Sequence, residues 1–171
     1  MELFEYFKNK KKLQFMIIGS FDNNKIIKMI NNILINDDDK LFYINTFIEN
    51  NYVDLIKLNQ FLSYTQQYNN KIIFFKENPL IILKNPFIII QKFDYIHLIY
   101  NNTIDSTCLI ELIITSFNLL ANNGLINIDS FNINLIFVIE FFKKCYIDKY
   151  SILYENINDN IFSIIICKIK C

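Results

Sequence analysis

The fold is decided by residues 15–23, which read Phe-Met-Ile-Ile-Gly-Ser-Phe-Asp-Asn. An apolar run is stopped at Gly19 and followed by polar residues, a pattern that is typical of a buried strand entering a tight loop. Residues 26–34 then carry isoleucine and leucine at helical intervals, and Asp22 or Asn23 can cap a helix there. The stretch therefore predicts a strand, a turn at Gly19 and a helix.

Strands and helices alternate along the rest of the chain. The predicted strands cover residues 13–18, 40–46, 71–76, 93–100, 125–129, 151–155 and 162–169. The predicted helices cover about 26–34, 53–68, 105–120 and 133–145, with a short turn at 79–83 and a helix stop at 122–124. The last two strands are too close in sequence for a crossover helix, so we expect an antiparallel pair. Such alternation predicts an α/β fold, a mostly parallel sheet with helices on both faces.

Composition predicts one domain in a reducing compartment. The chain has 171 residues and is 53% hydrophobic, which suits a single domain over residues 1–171 with 1–12 as a lead-in segment. The four cysteines lack C-x-x-C spacing and three lie in apolar segments, so we expect buried free thiols. No apolar stretch reaches about 18 residues, and no secretory pattern opens the chain. We therefore expect a soluble, cytoplasmic protein.

The charges give no strong signal for nucleic acid. Seventeen basic residues balance seventeen acidic ones, and every basic residue is lysine. Bidentate contacts to phosphate and guanine are chiefly made by arginine, so its absence weakens that class of function. The one basic cluster, Lys8 to Lys12, is interpreted as a solvated lead-in to the first strand. Heavy use of Ile, Asn and Lys indicates an AT-rich genome, such as that of a virus or an intracellular parasite, which would place the protein in host cytoplasm or a virion.

Four segments together resemble the class I S-adenosylmethionine-dependent methyltransferases. Residues 15–23 resemble the first motif of the branch whose loop reads E-I-G-S-F-x-G, and residues 43–47 resemble its I-D-T-F second strand. Residues 93–99, Phe-Asp-Tyr-Ile-His-Leu-Ile, resemble its F-D-x-I-x-I-D strand. Residues 119–131 resemble its L-L-x-x-G-G-x-I-x-x-D-D-Y segment. The resemblance covers the chain from about residue 13 onward.

The resemblance implies a Rossmann-like sheet of seven strands, the last antiparallel, with the cofactor S-adenosylmethionine at the carboxyl ends of the strands. It implies cofactor contacts from the first loop and the next two strand ends, namely Gly19, Ser20, Asp22, Asn45 and Glu77. It also implies that Asp129 orients the methyl acceptor. The plainer interpretation is that Asp22 caps a helix, Glu77 sits in a first turn and Asp129 ends a strand.

The sequence departs from the family where the family places its chemistry. Acids of the family align with Ile17, Asn45 and Ile99, its second loop glycine aligns with Asn23, and its histidine aligns with Asn102. An amide at position 45 can accept a ribose hydrogen bond but lacks the charge that strengthens it. Neither Ile99 nor Asn102 can ligate a divalent cation well or act as a general base.

Two main functions therefore compete. One is methyl transfer to an unknown acceptor, and the other is a catalytically inactive domain with a structural or protein-interaction role, for example in a viral assembly. A third, binding of another nucleotide, rests on fold analogy alone. No metal is expected, because His97 is the only histidine and the acidic run 37–39 is interpreted as a solvated turn.

Overall fold

The computed structural model describes residues 3–19, 23–45, 52–100, 106–130, 140, 143–146, 149–158 and 161–169. The strands are β1 (Gln14–Ile18), β2 (Lys40–Ile44), β3 (Ile72–Phe75), β4 (Phe93–Tyr100), β5 (Leu120–Ser130), β6 (Tyr150–Asn158) and β7 (Ile161–Lys168). The helices are α1 (Leu3–Phe7), α2 (Asn23–Asn32), α3 (Tyr52–Thr65), α4 (Pro79–Leu83), α5 (Pro86–Ile89) and α6 (Ser106–Leu119), with a 3₁₀ turn at Gln66–Tyr68.

The seven strands form one sheet in the order β3-β2-β1-β4-β5-β7-β6. The pairs among β1 to β5 are all parallel, while β7 runs antiparallel to both β5 and β6. This confirms the predicted α/β fold and the terminal hairpin. The strand order reverses between β1 and β4, and at such a switch point an open α/β sheet forms its ligand crevice.

Residues 15–18 of the first strand are all apolar because helices cover both of its faces. Phe15 and Ile17 belong to one buried cluster, which includes residues of α1, α2 and α3. Met16 and Ile18 belong to a second cluster, which includes residues of α4, α5 and α6. A strand buried on both faces reads as a continuous apolar run, so residues 15–18 gave a clear sequence signal.

An Asn-Pro pair begins each of the two short helices between β3 and β4. The Asn78 side chain accepts a hydrogen bond from the Leu80 amide, and Asn85 accepts one in the same way from Phe87. Each proline occupies a first-turn position, where its missing N–H is not needed. The prediction of a turn at 79–83 is confirmed. The sequence analysis missed α5, because its apolar run has the length of a strand.

The boundary between α6 and β5 differs from the prediction. The helix ends at Leu119, and residues 122–124 lie inside β5 instead of stopping the helix. Asn123 has a φ of 58°, so the turn chemistry produces an irregularity at the start of the strand. The predicted helix at 133–145 falls largely outside the described residues.

The basic cluster lies against acidic partners. Lys10 contacts Asp94 at 3.4 Å and Lys12 contacts Asp38 at 3.9 Å. Just before the cluster, α1 buries Phe7 against Phe15, with ring centroids 5.0 Å apart. The lead-in segment therefore packs on the sheet, and part of its charge is neutralised locally.

The prediction of buried thiols is wrong for two cysteines. Cys108 and Cys145 are free and exposed, while Cys167 is free and half-buried. Cys108 is exposed although the next residue of α6, Leu109, is buried, so its apolar neighbours in sequence did not imply burial. Cys171 lies outside the described residues. None of the described helices is long and apolar enough to cross a membrane.

Candidate functional site at the carboxyl edge of the sheet

Five residues form a row across the sheet where the parallel strands end. Ile18 pairs with Ile44 and Leu98, so the next residues in register are Asn45, Gly19 and Ile99. The row continues because Ile99 pairs with Asp129, which pairs with Ser163. With strands about 4.8 Å apart, Asn45 and Asp129 are separated by roughly 14 Å. Three of the predicted site residues therefore lie on one edge of the sheet.

Gly19 makes a turn that only glycine fits. Its φ is 115°, and its N–H donates a 3.0 Å hydrogen bond to the Ile44 carbonyl. A Cβ at this position would lie 2.3 Å from the Ile99 carbonyl oxygen. The space that the glycine leaves is therefore filled by β4 itself. The close approach that requires a glycine is made by the chain's own backbone.

Asn45 directly follows β2, and its side chain is turned inward. It is 2% exposed, and its Nδ2 donates a 2.9 Å hydrogen bond to the hydroxyl of Tyr43. Its backbone N–H donates to the Phe75 carbonyl of β3. The residue predicted to face a ribose is therefore engaged within the protein.

Glu77 lies at the same edge, after β3. Its side chain is exposed, and its Oε1 accepts a 3.1 Å hydrogen bond from the Asn78 amide. Because Asn78 is the N-cap of α4, Glu77 precedes the helix and does not sit in its first turn. Ser20 and Asp22, the other predicted cofactor contacts, lie outside the described residues.

Asp129 is held by hydrogen bonds from the strands on either side. Its Oδ2 lies 2.6 Å from His97 Nε2 on β4, and its Oδ1 accepts a 2.6 Å hydrogen bond from Ser163 Oγ on β7. An ionised carboxylate only accepts hydrogen bonds, so His97 donates through Nε2. The His97 side chain is 7% exposed and that of Asp129 is 30% exposed. Asp129 is therefore the end of this pair that a ligand can reach.

The surroundings of Asp129 favour its charged form. Burial raises the pKa of this carboxyl, but the hydrogen bond and charge of His97, the hydrogen bond of Ser163 and the charge of Lys25 outweigh burial. The net pKa lies below the ordinary 3.8. Nearby, burial raises the pKa of Tyr95, and the negative charge of Asp129 adds to that rise against a hydrogen bond with Asn127. The charged carboxylate of Asp129 and the neutral phenol of Tyr95 therefore lie near each other.

The sequence analysis did not assign His97, Asn127 or Ser163 to the site. Two of them have a signal in the sequence. Tyr95 and His97 are two residues apart on β4, as are Asn127 and Asp129 on β5, and alternate residues of a strand share a face. Ser163 had no such signal, because its contact depends on the register of the antiparallel β7.

The side chains at this edge can bind a ligand through hydrogen bonds and charge. Within the described part of the chain, no three of the His, Cys, Asp and Glu residues are grouped so that they could hold a metal ion. The accessible carboxylate of Asp129 can accept a hydrogen bond from an N–H or O–H group, and its two partners fix its orientation.

Comparison with known proteins gives a match in structure alone. No family model matches the sequence, and no curated protein matches it. Many solved structures match the fold. A candidate methylase from Haemophilus influenzae is 13% identical with a TM-score of 0.65, covering 98% of this chain and 86% of that one. An rRNA methylase from Streptococcus thermophilus is also 13% identical, with a TM-score of 0.63 and coverages of 98% and 94%.

A third match was solved with the cofactor bound. It is the O-methyltransferase TomG from Streptomyces achromogenes in complex with S-adenosylmethionine, 11% identical, with a TM-score of 0.63 and coverages of 92% and 73%. The chain therefore has the Rossmann-like fold of the class I S-adenosylmethionine-dependent methyltransferases. At this level of identity the likeness concerns the fold, because one fold serves many functions.

Proposed function

We propose that this chain binds S-adenosylmethionine along the carboxyl edge of its sheet and directs its methyl group to an acceptor held by Asp129. The observation that carries the proposal is the row in which Asn45, Gly19 and Asp129 lie level with one another at the carboxyl ends of β2, β1 and β5. In this fold a ligand crevice lies outside those strand ends. The likeness to methyltransferase structures, one with the cofactor bound, supports the same assignment.

The described residues fit the cofactor, though with few charges. The turn at Gly19 brings the chain from β1 into α2, and a helix start favours a carboxylate. Glu77 offers an exposed carboxylate at the far end of the edge, where an adenine amino group or a hydroxyl would find an acceptor. Asn45 offers an amide in place of a charged acid, so its hydrogen bond to a ribose hydroxyl is the weaker kind. We therefore expect binding of modest affinity.

The chain contributes positioning to the transfer. Bound S-adenosylmethionine supplies an electrophilic methyl group on a sulfonium, and correct alignment of the attacking atom provides much of the acceleration. Asp129 accepts a hydrogen bond from the acceptor's N–H or O–H and turns its lone pair toward the edge occupied by Gly19. His97 and Ser163 hold the carboxylate in one orientation, so the acceptor meets a fixed group.

A second candidate is a protein of this fold that binds a partner without catalysing transfer. Two observations favour it. Ile99 occupies the end of β4, where the resemblance implies an acid, and Asn45 is buried against Tyr43. Both positions serve the packing of the sheet.

Calorimetry and a transfer assay separate the two candidates. The folded protein is titrated with S-adenosylmethionine and, separately, with its demethylated product. The proposal expects saturable heat with both, and no heat at millimolar ligand would overturn it. Labelled methyl transfer is then measured with RNA, protein and small hydroxylated acceptors. Transfer that Asp129→Asn lowers more than Ser163→Ala supports the acceptor role, while binding without transfer favours the second candidate.

A further inference from the structure

β6 is the last strand of the sheet, and its outer side is open. No strand of the described part of the chain pairs with that side, because the sheet ends in the order β5-β7-β6. The strand runs for nine residues, Tyr150–Asn158, which is longer than the usual five or six. Every second residue of such a strand points its N–H and C=O away from β7. The edge therefore presents a row of backbone hydrogen-bonding groups.

Three side chains of this strand are apolar although they are exposed to solvent. Ile152, Leu153 and Tyr154 are exposed at 36%, 42% and 42%. Three consecutive residues are exposed because the pairing with β7 shifts between Ile152 and Tyr154. This bulge leaves Leu153 without an opposite residue on β7. Pairing with β7 is regular on both sides of the bulge, so the strand remains extended.

The edge lacks most of the features that protect edge strands. Proteins prevent unwanted pairing at such edges with proline, with lysine inside the strand, with short strands or with bulges. Within Tyr150–Asn158 there is no proline and no lysine, and the only charged residue is Glu155. The bulge at Leu153 is the one protective feature, and it also brings three large apolar side chains to the surface.

We infer that β6 pairs with β6 of a second copy of this chain, antiparallel and across a two-fold axis. Charge supports this orientation. Lys149 immediately precedes the strand and Glu155 lies six residues further on, so an antiparallel copy paired about Ile152 brings each lysine opposite the glutamate of the other. A parallel copy would place like charges level with each other. A two-fold axis makes the contact self-complementary and closed, joining the two sheets into one of fourteen strands.

This inference is independent of the proposed function. β6 lies two strands beyond β5, the strand that carries Asp129, and none of the predicted cofactor contacts lies on it. A protein that binds no cofactor could still form this dimer.

The test is the mass of the protein in solution. Sedimentation equilibrium is measured over a wide concentration range for the natural sequence, for Leu153→Lys/Tyr154→Lys and for the control Ile90→Lys. Ile90 is 74% exposed on the α5 side, so its variant adds a charge to an apolar surface away from β6. We expect a monomer–dimer equilibrium that the β6 variant abolishes and the control keeps. A monomer at every concentration, or a dimer that survives in the β6 variant, would overturn the inference.

Hydrogen exchange of the natural protein gives a second measurement, which does not depend on whether the β6 variant folds. Amides of residues 150–158 that point away from β7 should become more protected as concentration rises, and amides of β3 at the other edge serve as the reference. Equal exchange at low and high concentration would contradict pairing through β6.

Discussion

His97 Nε2 and Asp129 Oδ2 lie 2.6 Å apart across two neighbouring parallel strands. The register places Asp129 opposite Ile99 and His97 opposite Asn127, so the hydrogen bond runs diagonally between β4 and β5. The histidine is almost fully buried and the carboxylate is partly open to solvent. The pair thus links the interior of the sheet to the edge where a ligand would bind, and four predictions concern this edge.

Replacing Asp129 with Asn should destabilise the protein. The change removes the charge that accepts hydrogen bonds from His97 and Ser163, and a hydrogen bond to a charged group contributes about 1.5–3 kcal/mol. Since the side chain is 30% exposed and an amide keeps one acceptor, we expect a loss of about 1–2 kcal/mol in urea unfolding. Ser163→Ala removes only one partner and should cost less. An Asp129→Asn protein as stable as the natural one would show that the pair contributes nothing to folding.

The stabilising effect of Asp129 should depend on pH in the acid range. Its pKa is lowered in the folded protein, so between the folded value and the unfolded 3.8 the unfolded state binds more protons. The stabilisation is therefore fully present above about pH 5 and is lost as the pH falls through the folded pKa. We expect the difference in unfolding free energy between the natural protein and Asp129→Asn to be constant near neutral pH and to shrink below about pH 4. A difference that grows on acidification would contradict the sign of this shift.

Replacing Asn45 with Asp should tighten S-adenosylmethionine binding. A carboxylate accepts ribose hydroxyl hydrogen bonds more strongly than an amide, and the Tyr43 hydroxyl can donate to it in place of accepting from Asn45. We expect about a tenfold lower Kd by calorimetry, corresponding to about 1.4 kcal/mol. Tyr43→Phe is the control, because it removes the hydroxyl to which Asn45 donates without adding charge. If Asn45→Asp leaves the Kd unchanged, Asn45 does not contact the ribose.

Replacing Gly19 with Ala should destabilise the protein by more than backbone strain alone. The new Cβ would sit at a φ of 115° and 2.3 Å from the Ile99 carbonyl oxygen, so β1 or β4 must shift. Strain of this kind costs about 1–3 kcal/mol, and the clash adds to it. Asn123→Ala is the matched control, since Asn123 is exposed and has a φ of 58°. Equal losses in urea unfolding for the two variants would mean that the contact with Ile99 does not constrain position 19.

Local sequence patterns predict the order of the seven strands and the approximate bounds of most elements, although α1 and α5 were missed. The apolar run at β1, the glycine after it and the helical spacing that follows are local patterns, and local patterns report local structure. The short connection before β7 likewise required an antiparallel hairpin. The predicted start of β5 is wrong because Leu120 already pairs with Phe93 of β4. The turn residues Asn123 and Gly124 then form an irregularity inside the strand, before pairing with β4 resumes at Leu125.

Which polar residues contact one another depends on how the strands pack. His97, Asp129 and Ser163 come from three strands that are far apart in the chain, and their hydrogen bonds depend on a register set by packing across the whole sheet. By contrast, the hydrogen bond from Asn45 to Tyr43 joins residues two apart in the chain, which a local pattern can indicate. Residue types and spacing locate the edge of the sheet. The side-chain contacts at that edge depend on the register between strands that are distant in the chain, and packing of the whole sheet sets that register.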